Sequence, residues 1–173
     1  MVELPVDPKF STTIINSNKE EYRCTEEILT IAAVLSVGNI FHTNVDPVRV
    51  SKTKKKMGAV EGDHVTLVNI YNTYTNKNKN ARKRFCSEVF ISESKIIKAV
   101  KIKSQLKEYL NVIGVEIKKS DDYDDAPAIL KSLITGYFQN IALRQINGTY
   151  KNITSNEEFE IHPSSVLANI KPK

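Results

Sequence analysis

Residues 24–39, CTEEILTIAAVLSVGN, carry the feature that most limits how this chain can fold. Apolar side chains fill nearly every position after the second glutamate, so a helix formed here has hardly any polar face. Thr25 is a predicted N-cap, and Glu26 and Glu27 suit the positive end of the helix dipole. A helix without a polar face has to be surrounded by protein, so we expect it at the centre of a helical domain.

Further helices are predicted around this one from the spacing of apolar side chains. They begin after Asp7, near Asp63, after Asn80, after Ser92 and after Asp125. The helix after Ser92 is expected to run to about residue 112, and the last helix to about residue 141. The predicted fold class is mainly α, a helical bundle followed by a small β segment.

The β segment is predicted after Gly148, where helical spacing of apolar residues gives way to short stretches with partly alternating apolar residues. TYKNI and FEIHP are short, partly alternating stretches separated by the turn-rich TSNEE, which is typical of a hairpin. Two strands alone are not stable in water. Packing on the helices or further strands must therefore complete this part.

Composition excludes several classes of protein. The 173 residues are 40% apolar, enough to bury a core. No stretch approaches the roughly 20 apolar residues of a membrane span, and the first residues lack a signal-peptide apolar block. We therefore expect a soluble intracellular protein. Cys24 and Cys86 lack a CxxC pattern, so both are predicted to be reduced, buried thiols.

Positive charge is concentrated in the middle of the chain. Residues 49–107 hold fifteen of the twenty-five Lys and Arg but only four acids, within a net charge of +5. Such a field attracts polyanions, of which nucleic acid is the most common inside cells. A basic face kept for solubility is the alternative. The lysine-rich stretch after Pro47 is predicted to be an exposed loop, because its charges are too dense to pack.

Catalytic and metal sites are not indicated. Phosphate-binding glycine loops and nucleophile motifs are missing, and His42, His64 and His162 lie in separate segments without helical partners. Asp63 and His64 are adjacent, but neighbouring residues do not face each other on a helix. Both are predicted to be structural: Asp63 as a helix cap, and His64 as a buried or interface-facing side chain in the first turn.

The helix after Ser92 offers a candidate binding surface. Its predicted apolar side is Ile96, Ala99, Val100, Leu106 and Leu110. On the other side, a narrow arc holds Ser94, Lys98, Lys101 and Gln105. This arc is either a ridge that binds a nucleic-acid backbone or a solvated face.

Six segments, in order and at similar spacing, resemble the C-terminal region of DEAH-box RNA helicases, especially the spliceosomal ones. They are ELPVDPKFSTTII, CTEEILTIAAVLSVGNIF, EGDHVTLVNIYNTY, IKSQL, ITGYFQNIA and IHPSSVL. The resemblance implies that residues 1–5 are the tail of a winged-helix domain and that 6–143 form the helicase-associated (ratchet) domain. Residues 144–173 would then be the first part of an OB-fold, in a fragment or truncated product.

The resemblance also implies a function: an accessory module that grips single-stranded RNA without sequence specificity, in the nucleus and in pre-mRNA splicing. Lys95 and Lys103 join the arc as implied RNA contacts. This chain has no ATPase lobes and should not be catalytic alone, so ATP and Mg²⁺ belong to the parent's RecA-like lobes. Those lobes, spliceosomal proteins and G-patch activators are the implied partners.

Some positions depart from the family pattern. Phe85-Cys86 replaces the usual Trp-Cys, Ser94-Lys95 replaces Arg-Ser, and Lys103 replaces an Arg. Lysine lacks the planar fork with which arginine binds phosphate in a bidentate manner. The alternative function is a docking module for helicase lobes or spliceosomal proteins, with no RNA binding of its own.

Overall fold

The fold is seen in a computed structural model that describes residues 6–42, 44–120, 126–168, 170 and 172. Over these residues it has seven α-helices, one short 3-10 helix and three short strands, which confirms the mainly α fold class. The predicted winged-helix tail at 1–5 and the predicted helix start at Asp125 lie outside the described residues.

The elements follow one another in a simple order. The helices are α1 Pro8–Ser17, α2 Thr25–Ser36, α3 Pro47–Met57, α4 Asp63–Thr75, α5 Lys79–Glu88, α6 Glu93–Val112 and α7 Ala126–Tyr137, followed by the 3-10 helix Phe138–Asn140. The strands are β1 Ala142–Arg144, β2 Tyr150–Asn152 and β3 Glu158–Phe159.

Helix α2 lies at the centre of the helical part, as its sequence predicts. It contacts α1, α4, α6 and α7, and its side chains from Ile28 to Val34 are buried. Two apolar clusters meet along it. One joins α2 to α1, α7 and the later part of α6, and the other joins it to α4, α5 and the start of α6. Burial of this helix therefore organises both halves of the core.

Helices α1 and α7 approach each other closely at Gly136. A Cβ added to this residue would lie 2.1 Å from the backbone oxygen of Lys9 and 2.4 Å from Oγ1 of Thr13. Beside this contact the rings of Phe10 and Tyr137 pack edge to face, with centroids 5.6 Å apart. Only glycine leaves room for the two backbones at this spacing.

Three predicted helix caps are placed differently in the structure. The N-cap of α2 is Cys24, so Thr25 is the first helical residue. The N-cap of α4 is Gly62 and not Asp63, because its φ of 115° gives the chain a sharp entry that glycine tolerates. Helix α5 begins two residues earlier than predicted, where the Asn78 side chain accepts a hydrogen bond from the Ala81 amide.

The lysine-rich stretch after Pro47 is helix α3, and the loop prediction was wrong. The Asp46 carboxylate accepts a hydrogen bond from the Val48 amide at 2.9 Å, which caps the helix. Cations on α3 then pack on aromatic rings elsewhere. The Lys54 ammonium lies 4.5 Å from the centre of the Phe41 ring.

The β part is a three-stranded antiparallel sheet in the order β1-β2-β3. The predicted hairpin corresponds to β2 and β3, and β1 was missed because the last helix was expected to continue to residue 141. Leu143 pairs with Lys151, and the rings of Tyr150 and Phe159 stack across the sheet at 6.5 Å. Half of the strand residues are exposed, and Tyr150 is the one strand residue that is buried.

Both cysteines, Cys24 and Cys86, are buried, and neither forms a disulfide bond, as predicted. Burial raises the pKa of the Cys86 thiol to about 11. Among the described helices, none combines the length and the apolar character that crossing a bilayer requires.

Candidate nucleic-acid interface

Helix α6 presents one polar row to solvent and one apolar side to the core. Ile96, Ala99, Leu106 and Leu110 are buried against α2 and its neighbours, and the predicted Val100 is only half-buried. On the other side, four side chains in successive turns are exposed, and we call them the α6 row: Ser94, Lys98, Lys101 and Gln105. The predicted arc is therefore a real surface feature.

The charges of the α6 row are available to an external anion. Within the described residues, neither Lys98 nor Lys101 forms an ion pair with a carboxylate. In the row, Lys98 and Lys101 are three residues apart and lie next to each other, and the polar, uncharged Ser94 and Gln105 flank them. The row thus offers two ammonium groups and two hydrogen-bonding groups in a line along about three helical turns.

Lys95 lies beside the N-terminal end of the row and has a structural partner. Its ammonium donates a hydrogen bond to the backbone oxygen of Asn39, just after α2. Because an ammonium has three donors, this bond leaves Lys95 able to contact a further acceptor. The structure therefore places it near the row but partly engaged.

Lys103 lies away from the row, which corrects its expected place among the exposed cations. Its side chain is only 6% exposed, and its ammonium contacts Oε1 of Glu26 at 2.8 Å and Oγ1 of Thr30 at 2.7 Å. The Tyr71 ring lies 4.9 Å from the same ammonium. Lys103 joins α6 to α2 and α4 and is too buried to meet a strand that lies along the α6 row.

The group around Lys103 has altered proton affinities. Burial lowers the pKa of the Lys103 ammonium, and the Glu26 carboxylate limits this fall. Burial opposes ionisation of Glu26 too, but hydrogen bonds from Lys103 and Lys107 outweigh it, so the pKa of Glu26 is lowered. Burial raises the pKa of the Tyr71 phenol to about 12, and the Glu26 charge adds to the rise.

Asp63 makes contacts that its sequence position does not show. Its carboxylate accepts hydrogen bonds from the Ser165 hydroxyl and, at 3.1 Å, from the Val166 amide. It is thus bonded to the segment IHPSSVL, more than a hundred residues later. His64, in the same helical turn, is exposed in this chain, and the interface-facing role stays a prediction.

Sequence reasoning missed two members of these contacts. The sequence indicates Glu26 only as a complement to the helix dipole, although its carboxylate binds both Lys103 and Lys107, the latter at 2.7 Å. It indicates Tyr71 only as an apolar position on α4. Neither role leaves a local signal, because the partners lie on other helices.

Comparison with known proteins agrees with the resemblance seen in the sequence. Residues 7–67 match the family described as helicase associated domain (HA2), ratchet-like. The chain is 36% identical over 175 residues to the human ATP-dependent RNA helicase DHX33, and 35% identical to that of Mus musculus. It is also 32% identical over 186 residues to the pre-mRNA-splicing factor ATP-dependent RNA helicase DEAH10 of Arabidopsis thaliana.

These alignments cover nearly all of this chain but only part of each relative. They include 99% of the chain for the two DHX33 proteins and all of it for DEAH10. The same alignments cover 24% and 25% of the relatives' own lengths. The chain is therefore a helicase-associated, ratchet-like region of the DEAH-box RNA helicase family, about a quarter of the length of those proteins.

Proposed function

We propose that this chain is the RNA-gripping accessory module of a DEAH-box ATP-dependent RNA helicase, and that the α6 row contacts the strand. The observation that carries this proposal is the exposure of Lys98 and Lys101, without ion pairs among the described residues, on a helix fixed by its buried side. A rigid helix with cations in one line suits a chain of phosphates better than a flexible loop does.

The proposed contacts are with the RNA backbone. Lys98 and Lys101 meet phosphates, Ser94 and Gln105 add hydrogen bonds, and Lys95 uses its remaining donors at the end of the row. Lys103 is not among them, since it is buried. Backbone contacts carry no base information, so the row holds any single strand.

The wider setting follows from the relatives. The parent protein would carry RecA-like lobes that bind ATP and Mg²⁺, and this chain would act beside them. The name of the Arabidopsis relative includes splicing. We propose pre-mRNA splicing in the nucleus as the process, with spliceosomal proteins and a G-patch activator as further partners. The small sheet would be the beginning of an OB-fold.

Binding of labelled single-stranded RNA at several salt concentrations tests the row. Lys98→Glu combined with Lys101→Glu should weaken binding and flatten the slope of log affinity against log salt by about 0.7 for each phosphate that is no longer neutralised. The matched control is Lys19→Glu combined with Lys131→Glu, which changes the net charge equally at exposed sites in the turn after α1 and on α7. Equal weakening in both double variants would mean that only net charge matters, which contradicts the proposal.

A docking module without RNA binding is the second candidate. It is favoured by two exposed apolar side chains about one turn apart: Ile134 of α7, at 48% exposure, and Phe138 of the 3-10 helix that follows, at 58%. If the chain shows no salt-dependent RNA binding, Ile134→Ser with Phe138→Ser should still release a helicase lobe from it in a pull-down. Unchanged retention of the lobe would exclude this surface.

A further inference from the structure

A cleft of about 470 Å³ lies between α2, α4 and α6, on the flank of the helix that carries the α6 row. This volume falls within the usual range of sites for small organic ligands. Its deep lining is formed by buried and half-buried side chains and its mouth by exposed ones. The deep residues include Glu26, Tyr71 and Lys103, and the mouth includes Asn72, Ser104 and Lys119.

The floor of the cleft combines acceptors and donors held in fixed positions. The Glu26 carboxylate is bonded to Lys103 at 2.8 Å and to Lys107 at 2.7 Å. A carboxylate has about four acceptor sites, so Glu26 can still accept from a ligand amino group. The Tyr71 phenol, which is protonated at neutral pH as tyrosines ordinarily are, can donate or accept.

The walls and mouth differ from the floor in chemistry. Val68 of α4 and Val100 of α6 line the cleft with apolar surface. Nearer the mouth, Lys107 and the exposed Lys119 supply positive charge. Polar groups at the bottom, apolar walls and cations at the mouth match a flat ring that carries hydrogen-bonding edges and is linked to a phosphate.

The cleft opens beside the α6 row. Ser104 at its mouth follows Lys101 by three residues, so the two side chains are neighbours on the helix surface. Ser104 and Lys107 are neighbours for the same reason. A strand held by Lys101 would therefore pass next to the mouth.

We propose that this cleft binds one nucleotide unit, with an amino-bearing base against Glu26 and Tyr71 and the phosphate at Lys107 and Lys119. If the nucleotide belongs to an RNA strand, the inference rests on the proposed function. The cleft then adds a base-binding position to the α6 row, which contacts only the RNA backbone. A free nucleotide carries the same chemistry and is the other source.

The first test uses free 5′-nucleoside monophosphates and backbone amide shifts of the whole chain. AMP, GMP and CMP should shift the amides of Tyr71, Thr75 and Ser104 with saturation below about 5 mM, and UMP, which has no amino group on its base, should bind more weakly. Ser104→Phe fills the mouth and should weaken AMP binding about tenfold, the effect expected when one base can no longer stack in its site. Asn111→Phe, also exposed on α6 but outside the cleft, is the matched control.

The second test separates the two sources. A short single-stranded RNA with one 2-aminopurine should gain fluorescence on binding if a base leaves the stack, and Ser104→Phe should remove that gain while leaving the salt dependence set by Lys98 and Lys101. If RNA does not displace AMP, the ligand is a free nucleotide, and the cleft proposal holds while strand insertion does not.

Three results would overturn the site: no saturable shifts with any monophosphate, equal AMP affinity in Ser104→Phe and the wild type, or an equally large weakening in Asn111→Phe. Failure of the α6 row is measured independently by the charge-reversal pair. The two proposals can therefore fail separately.

Discussion

At the scale of single residues, the role of Asp63 cannot be inferred from the residues next to it in the sequence. It begins α4 but bonds to Ser165 and Val166. Asp63→Ala should lower the free energy of unfolding by about 1–3 kcal/mol, because a half-buried serine and amide lose their acceptor. Urea denaturation measures this change. His64→Ala, at the exposed next position, should change it by less than about 0.5 kcal/mol; a larger effect there would contradict this assignment.

Glu26 makes stability depend on pH in the acid range. Its pKa in the folded state lies below the unfolded value near 4.5. The ionised group therefore stabilises the fold fully above about pH 4.5, and the contribution is lost as the pH falls through the folded value. We expect Glu26→Gln to reduce the urea midpoint at pH 6, and the difference from the wild type to shrink towards pH 3. An equally large difference at both values would refute the linkage. The control is Glu108→Gln, an exposed glutamate on α6.

The residues of the candidate site were only partly predictable. Ser94, Lys98, Lys101 and Gln105 follow from helical periodicity, and the structure exposes all four. Lys103 has the same residue type as its exposed neighbours, but its partner Thr30 is 73 positions away. Pairing over such a distance depends on how helices pack, which a local pattern does not contain.

At the scale of elements, the contact of α1 with α7 depends on one glycine. In an exposed helix, Gly→Ala stabilises by about 0.5–1 kcal/mol. Gly136→Ala should instead destabilise by about 1–3 kcal/mol, because the new Cβ would meet the Lys9 oxygen and force the helices apart. Thermal or urea unfolding gives the sign. Lys131→Ala, on the exposed side of α7, should be nearly neutral, and a stabilised Gly136→Ala would show that the helices can adjust freely.

The elements differ in how well the sequence predicts them. Helices α2 and α6 are long and strongly patterned, and their positions are as predicted. Helix α3 was missed because its own residues give it little apolar face. It is stabilised instead by the cap at Asp46 and by contacts of its cations with aromatic rings, Lys54 with Phe41 and Arg49 with Phe90. Strand β1 was missed because its three residues directly follow a helical pattern.

At the scale of the whole molecule, the helical part and the sheet should differ in local stability. The sheet has short strands, and of their residues only Tyr150 is buried, whereas α2 lies in the core. By amide hydrogen exchange, the Ile153 amide, which donates to Ile141 at 3.1 Å, should open at a free energy at least about 2 kcal/mol lower than the amide of Ala32. Equal opening free energies would mean that sheet and helices unfold as one unit.

The hydrogen bonds of Asp63 also determine when, during synthesis of the chain, the start of α4 can reach its final contacts. The bonded residues are separated by 102 and 103 positions, so the contact closes a loop that holds α4 to α7 and the entire sheet. A ribosome adds residues at about 5–20 per second, so Asp63 has to wait on the order of five to twenty seconds before its partners exist. During that interval the Asp63 carboxylate is exposed to solvent or to chaperones. Ribosome-bound chains stalled before residue 166 is made, and chains long enough for residue 166 to have left the exit tunnel, should therefore differ in protease sensitivity near the start of α4.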